Sequence, residues 1–146
     1  MTKFSGHGIQ LQMSDMEASP EFTEIAQVEN LTPPGWTQGT EAVPTHDDTA
    51  GGGVEKLADA LYAGQPFTLT ILHDPGDSTH DDTDGLMSKK GQSEATDFKC
   101  VYPDDDDTEV AFAAWVTEFA PQGVDANSGK LRTNVTFDPT GDFTIT

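Results

Sequence analysis

The chain alternates in short bursts. Residues 9–13 place Ile9, Leu11 and Met13 on one face and Gln10 and Gln12 on the other, the period-two pattern of a half-buried strand. Residues 67–73 do the same, with Phe67, Leu69 and Ile71 against Thr68 and Thr70. Residues 130–137 set Leu131, Thr133, Val135 and Phe137 inward and Arg132, Asn134 and Thr136 outward. A shorter strand over 98–102 ends at Pro103, and residues 143–146 continue the sheet. Residues 110–119 are apolar on both faces, as in a strand covered from two sides. Residues 22–31 form another strand candidate; Ile25, Ala26 and Val28 break its alternation, which fits a bulge. Thr32-Pro33-Pro34-Gly35 ends it, because proline cannot donate to a ladder. Residues 36–44 read as extended.

One segment follows a different period. Val54, Leu57 and Leu61 lie three and four apart with Gly64 beyond them, which predicts an α-helix over 54–62 with a glycine stop. A short helical turn is expected near Leu86 and Met87. Turn-rich or polar stretches cover 14–20, 46–53 and 74–84. Six to eight strands with one helix predict a mainly β protein, a two-sheet sandwich or barrel-like sheet with one flanking α-helix.

Length and composition narrow this picture. A chain of 146 residues predicts a single domain, 1–146, with a long loop at about 39–53. Hydrophobic residues make up 34%, but they cluster in the strand-like runs, so the chain is expected to fold. Seven basic and 26 acidic side chains give a formal charge of −19. Binding to a nucleic-acid backbone through a basic footprint is excluded, since phosphate contacts need Lys and Arg. No run approaches the ~18 apolar residues of a membrane span, and the first residues lack an apolar core of a secretion signal, so a soluble protein is expected. Cys100 is alone; it cannot form an internal disulfide and is expected as a buried thiol in a strand.

The candidate chemistry is sparse. Thr-His-Asp-Asp-Thr occurs twice, at 45–49 and 79–83, and Asp104-Asp105-Asp106-Asp107 lies between two strands. Histidine and carboxylates are metal-ligand types. The repeats sit in polar loops, however, and the Asp run lacks the Gly and Glu positions of an EF-hand loop. Solvated loops are the expectation for all three. No phosphate-binding glycine loop, nucleophile elbow or His-Glu-x-x-His string is present. No catalytic residue, metal ligand or cofactor is therefore assigned, and an enzyme is not expected.

The order of segments along the chain carries a resemblance. Residues 3–13 look like an opening strand. Ile25-Ala26-Gln27-Val28-Glu29-Asn30-Leu31-Thr32-Pro33-Pro34-Gly35 looks like an "I-x-x-V-x-x-I-T-P-P-G" segment. Pro44-Thr45-His46-Asp47 resembles a "V-T-T-H" loop, and Gln65-Pro66-Phe67-Thr68-Leu69-Thr70-Ile71 the strand after it. Phe98-Lys99-Cys100-Val101-Tyr102-Pro103-Asp104 resembles "F-x-I-x-F-P-D", Ala113-Ala114-Trp115-Val116-Thr117-Glu118-Phe119 resembles "G-F-V-T-x-F", and residues 130–137 a closing strand. Together these resemble the major tail tube proteins of long-tailed, non-contractile, lambda-like bacteriophages. Residues 138–142 and the acidic run 104–107 depart from the pattern.

The resemblance implies a tail tube fold similar to type VI secretion tube subunits. It implies a homo-hexameric ring, stacked with further copies into a hollow tube. Its partners would be a tape-measure protein, tail terminator and distal tail proteins. DNA would cross the lumen at ejection without specific binding. Such a protein is a virion tail component assembled in the host cytoplasm. A loop as long as 39–53 is usually functional or disordered, so Thr40, Thr45, His46, Asp47 and Asp48 are the candidate ring-to-ring contact. Gln10, Gln12, Thr68, Thr70, Arg132, Asn134 and Thr136 are the candidate lumen-facing set. The alternatives are a tube subunit of a gene-transfer particle, secretion tube or tail-like bacteriocin, or an acidic binding module such as a DNA mimic or calcium-binding β-domain.

Overall fold

A computed structural model describes residues 8–42, 56–124 and 129–146, with backbone alone at 57–61. Among the described residues nine strands follow in chain order: β1 Gln10–Ser14, β2 Phe22–Glu24, β3 Val28–Leu31, β4 Gly35–Ala42, β5 Lys56–Gln65, β6 Phe67–Leu72, β7 Thr96–Val101, β8 Glu109–Pro121 and β9 Arg132–Ile145. A 3-10 turn, Leu86–Lys89, precedes β7. Seven strands form one antiparallel sheet in the order β2-β1-β7-β8-β9-β6-β3, and β4 and β5 form a separate two-stranded ribbon.

The two ends of the large sheet, β2 and β3, are only three residues apart in the chain. Ile25 N donates to Leu11 O at 2.9 Å on the β1 side, and Leu72 N donates to Gln27 O at 2.9 Å on the β6 side. One continuous segment thus pairs first with β1 and then with β6, and the sheet closes into a barrel. The alternation is broken at 25–28 because the segment changes partner there. Gln27 takes a positive φ of 57° and Ile25 turns into the core at 1% exposure. Of the expected two-sheet sandwich or barrel-like sheet with one flanking α-helix, the mainly β character holds, as a seven-stranded antiparallel sheet and a two-stranded one, and no α-helix forms among the described residues.

The alternation of β1, β6, β7 and β9 fixes the interior. Leu11, Phe67, Leu69, Ile71, Phe98, Cys100, Val135 and Phe137 are all buried. Phe67 stacks on Phe137 at 4.9 Å between ring centroids and meets Phe112 edge-on at 5.5 Å; Phe98 meets Phe137 edge-on at 5.1 Å. Burying one such side chain stabilises the fold by about 1.5–3 kcal/mol, and the edge-to-face geometry adds to it. Cys100 lies among them, and burial pushes its thiol up to about 11.

β8 explains its own apolar composition. Val110, Phe112 and Ala114 point inward. A register shift between Val116 and Glu118 then changes the phase, so that Phe119 opposes Val135 and Glu118 opposes Thr136. The strand is apolar in both parities partly because its inward face changes partway along. On its outer face Ala111, Ala113 and Trp115 are half-buried.

The helix expected over 54–62 is not formed where the chain is described: residues 56–65 are β5, paired with β4 from Gly35↔Gln65 to Ala42↔Lys56. The three-and-four spacing that suggested a helix is overridden by cross-strand pairing. The base of the ribbon is anchored by aromatic contacts: Trp36 lies 5.6 Å and Tyr62 6.1 Å from Phe143 between ring centroids, and Phe143 N donates to Tyr62 Oη at 2.8 Å. Gly64 permits this approach, since a Cβ there would lie 2.7 Å from Pro139 Cβ. The part of the 39–53 loop that is described belongs to β4, whose residues 36–42 are exposed.

Phe137→Ala should lower unfolding stability by about 3–5 kcal/mol, the usual cost of emptying a buried aromatic site. Thr136→Ala, next to it on the outer face, should stay within about 0.5 kcal/mol. Urea unfolding followed by tryptophan fluorescence measures both; equal losses would show that the barrel interior is wrongly assigned.

Candidate functional site

Two surfaces carry the side chains singled out by sequence: the outer wall of the barrel and one of its ends. Register fixes the wall. On β6 and β9, Thr68 opposes Thr136, Thr70 opposes Asn134, and Leu72 opposes Arg132. Thr70 Oγ1 donates to Asn134 Oδ1 at 3.0 Å. Thr68, Thr70, Arg132, Asn134 and Thr136 therefore form one polar patch. Gln10 and Gln12 are also on the outside and lie 3.4 Å apart at their amides. They sit on β1, separated from β9 by β7 and β8. The structure thus joins five of the seven residues and places the other two around the curve of the barrel.

The patch has one ion pair at its rim, with further carboxylates nearby. Arg132 Nε donates to Glu29 Oε2 at 2.7 Å. That hydrogen bond, with Lys130 adding to it, holds the Glu29 carboxyl below its ordinary value. Glu118 opposes Thr136 and Asp138 opposes Trp115 on the same face. The centre of the patch consists of hydroxyls and an amide.

The barrel end where β6 finishes and β7 begins is covered by residues 74–95, which act as a plug. Here the second copy of the repeated string has a structural use. His80 is 0% exposed. Its Nδ1 accepts from Asp74 N at 3.2 Å, and its Nε2 lies 2.7 Å from Ala26 O. These contacts fit the neutral ring with its proton on Nε2. The ring thereby rivets the plug to the segment that closes the barrel. Thr79 Oγ1 accepts from Ala26 N at 3.0 Å and donates to Asp77 Oδ1 at 2.6 Å. Asp81 Oδ1 accepts from the amides of Thr83, Asp84 and Gly85.

Hydrogen bonds to the ionised form lower a carboxyl's pKa. Those from Thr79 depress Asp77, and those from Asp84, Gly85 and Thr83 depress Asp81. Gly85 is required here, since a Cβ would collide with the backbone of His80 and Asp81. The first copy of the string, with Thr45, His46, Asp47 and Asp48, lies outside the described residues. Thr40, the remaining member of the ring-contact set, opposes Ala58 in the ribbon.

Asp104 closes the acidic turn at the other end of the barrel. Its carboxylate accepts from Thr108 N at 2.7 Å and from Thr108 Oγ1 at 2.6 Å, which lowers its pKa. Among the described residues no three His, Cys, Asp or Glu side chains are grouped to hold a metal ion. No described helix is long and apolar enough to cross a membrane. Beside the plug, a cleft of about 540 Å3 is lined by Ser14, Glu17, Ser88, Lys89, Gln92 and Thr96 among others.

Sequence reasoning missed three features: the buried His80 with the half-buried His73 beside it, the aromatic anchor Trp36–Tyr62–Phe143, and the steric need for Gly85. Each depends on a contact between distant segments, and the string at 79–83 gave no local sign of which polar group would be buried.

No protein-family model matches the chain, and no curated protein matches it significantly. Solved structures do. A chain in the tail of an empty gene transfer agent particle, computed by helical refinement with C6 symmetry, matches with a TM-score of 0.73 at 17% identity over 99% of both chains. A chain of the six-fold symmetrised anti-feeding prophage baseplate matches at 0.72 and 10% identity, over 100% of this chain and 97% of the other. A chain from the sheath/tube terminator of PVC, an extracellular contractile injection system in its extended state, matches at 0.62 and 13% identity, over 100% and 98%. At these identities the likeness establishes a shared fold over the full length of the chain.

Proposed function

We propose that the chain is a structural, tube-building subunit of a tail-like particle, in which six copies close into a ring and rings stack. The observation that carries this reading is the match over 99% of both chains to a chain in a gene transfer agent tail of C6 symmetry. The other neighbours come from injection-system assemblies. This company favours a gene-transfer or tail-like system over the narrower lambda-like, non-contractile phage tail suggested by the sequence resemblance. In either setting the chain would work in the tail, with a tape-measure protein, a terminator and distal tail proteins as neighbours, and without catalysis.

The patch of Thr68, Thr70, Asn134 and Thr136 is the strongest candidate for the lumen wall. Its hydroxyls and amide offer DNA no unpaired cation, and Arg132 is engaged by Glu29. Duplex DNA binds tightly where Lys and Arg replace its counterions; a wall of this composition lets it slide. Gln10 and Gln12 lie around the curve and are better suited to a neighbouring subunit or outer solvent. The exposed β4–β5 ribbon and the segment beyond it supply the ring-to-ring contact. An isolated two-stranded ribbon is marginally stable in water, and an uncovered edge strand is a template for pairing with another chain.

Negative-stain microscopy of concentrated protein should show rings or tubes. Dispersed particles under all conditions, with a melting temperature that falls on adding a chelator, would favour the acidic calcium-binding module instead. Deleting residues 46–52 should leave the thermal unfolding of the barrel unchanged and abolish stacking. Tubes that still form would remove Thr45, His46, Asp47 and Asp48 from the contact.

Charge sets a third expectation. Each copy carries −19, so association brings like charges together. Raising salt from about 0.1 M to about 1 M shortens the screening length from about 10 Å to about 3 Å. The assembled fraction in sedimentation velocity should rise; a fall would show that attraction between opposite charges drives assembly.

A further inference from the structure

His73, half-buried at the end of β6, is one of two side chains among the described residues, with Thr133, whose buried polar atoms have no hydrogen-bond partner. It follows Leu72, and its amide donates to Leu131 O at 2.8 Å. Both of its ring nitrogens are buried without a hydrogen-bond partner among the described residues. The ring packs edge-on against Phe119 at 5.3 Å and lies 6.0 Å from the His80 ring. β8 therefore offers it an aromatic edge and β9 a backbone contact at Leu131. The titratable groups acting on it are His80 and Asp74, both from the plug side.

A proton added here has a poor environment. A buried cation without hydrogen bonds is costly, and a second positive charge on His80 would repel it. The Asp74 carboxylate is the opposing attraction, but its side chain is exposed and already accepts from Gly76 N.

We propose that the His73–His80 pair makes residues 74–95 an acid-releasable plug, with His73 as the proton acceptor and His80 as the anchor that gives way. This rests on the barrel alone and not on the tail reading. On acidification the His73 ring leaves its seat beside Phe119, His80 loses its place against Ala26 and Asp74, and the plug detaches while the barrel stays folded. Release would uncover Leu86, which is 1% exposed in the closed state, next to the half-open groove that Met87, Val116 and Phe119 line.

The sign follows from burial, which lowers the His73 pKa below its ordinary value, with His80 adding and Asp74 opposing. The open or unfolded state then binds more protons than the closed one, so closure is favoured above the ordinary histidine value of about 6.5 and weakens as pH falls through the lower value of the closed state.

Hydrogen exchange with intrinsic rates corrected for pH tests this on the intact chain. Between pH 7.5 and 5.5 the amides of Gly85 and Leu86, which donate to Asp81 and Thr79 in the plug, should lose several-fold of their protection, up to the limit of about tenfold for one histidine with an open-state value of about 6.5. The amide of Leu69 in the core should not. His73→Phe keeps the ring against Phe119 and removes the titration, so its plug should stay protected at pH 5.5. Unchanged plug protection in the wild-type chain would overturn the proposal, and so would equal loss in His73→Phe. If that variant does not fold, the wild-type imidazole can be titrated by NMR. A His73 midpoint coinciding with plug release supports the switch; one at or above the ordinary histidine value, or separate from release, sinks it.

Discussion

The fold depends on one segment serving two edges. A seven-stranded antiparallel sheet ending in free strands would expose two rows of unpaired backbone groups. Here the chain from Phe22 to Leu31 supplies both end strands, pairing first with β1 and then with β6. The change of partner needs a backbone reversal, which Gln27 provides at positive φ, and an apolar side chain to fill the join, which Ile25 provides. Other features follow from that closure. The interior becomes a closed space that Phe67, Phe98, Phe112 and Phe137 fill. The carbonyl of Ala26, freed from sheet pairing at the join, becomes the acceptor to which His80 docks.

A closed barrel has ends, and they are treated differently. At one, Trp36, Tyr62 and Phe143 pack together and carry the base of the ribbon. That contact is apolar with one hydrogen bond, from Phe143 N to Tyr62 Oη. At the other, residues 74–95 make little apolar contact besides Leu86 and rely on polar contacts from Asp77, Thr79, His80 and Asp81. Polar networks hold well when every member is satisfied and fail at the member that is not. His73, beside this network, brings two buried ring nitrogens with no hydrogen-bond partner among the described residues.

Much of the sheet was legible in the sequence, and the reason is local. Residues 9–13, 67–73 and 130–137 alternate because one face of each is buried, and a one-residue error would turn every side chain to the wrong side. The strand Lys56–Gln65 was not legible. Val54, Leu57 and Leu61 match a helical face, and Ala, Leu and Lys favour helices intrinsically. The opposing choice comes from β4, and strand preference depends on such partners more than on the residues themselves. The outward-facing polar residues were readable as outward. Which of them share a patch was not, because Gln10 and Asn134 differ only in their places around the barrel. His46-Asp47-Asp48 and His80-Asp81-Asp82 are identical strings, and nothing local reveals that His80 is set against Ala26, 54 residues away.

The acidity of the chain takes its meaning from where the cations are. Among the described residues two ion pairs form, Lys99 with Glu109 and Arg132 with Glu29. Both are surface pairs, worth little individually, and they neutralise few of the 26 acidic side chains. Most of that charge is left to solvent and counter-ions. The barrel tolerates it because its interior is apolar and because Asp77, Asp81 and Asp104 are held mainly by amides and hydroxyls, with Glu29 alone of the depressed carboxyls among the described residues held by a cation, Arg132. Association between copies has no such local remedy, since each new contact brings two acidic surfaces together. If the chain builds rings, the contact must therefore come from apolar or backbone groups that reach across the repulsion. The β4–β5 ribbon, with Trp36 and Tyr62 exposed at its base and its strands forming a separate two-stranded sheet among the described residues, is the part of the described structure that offers both.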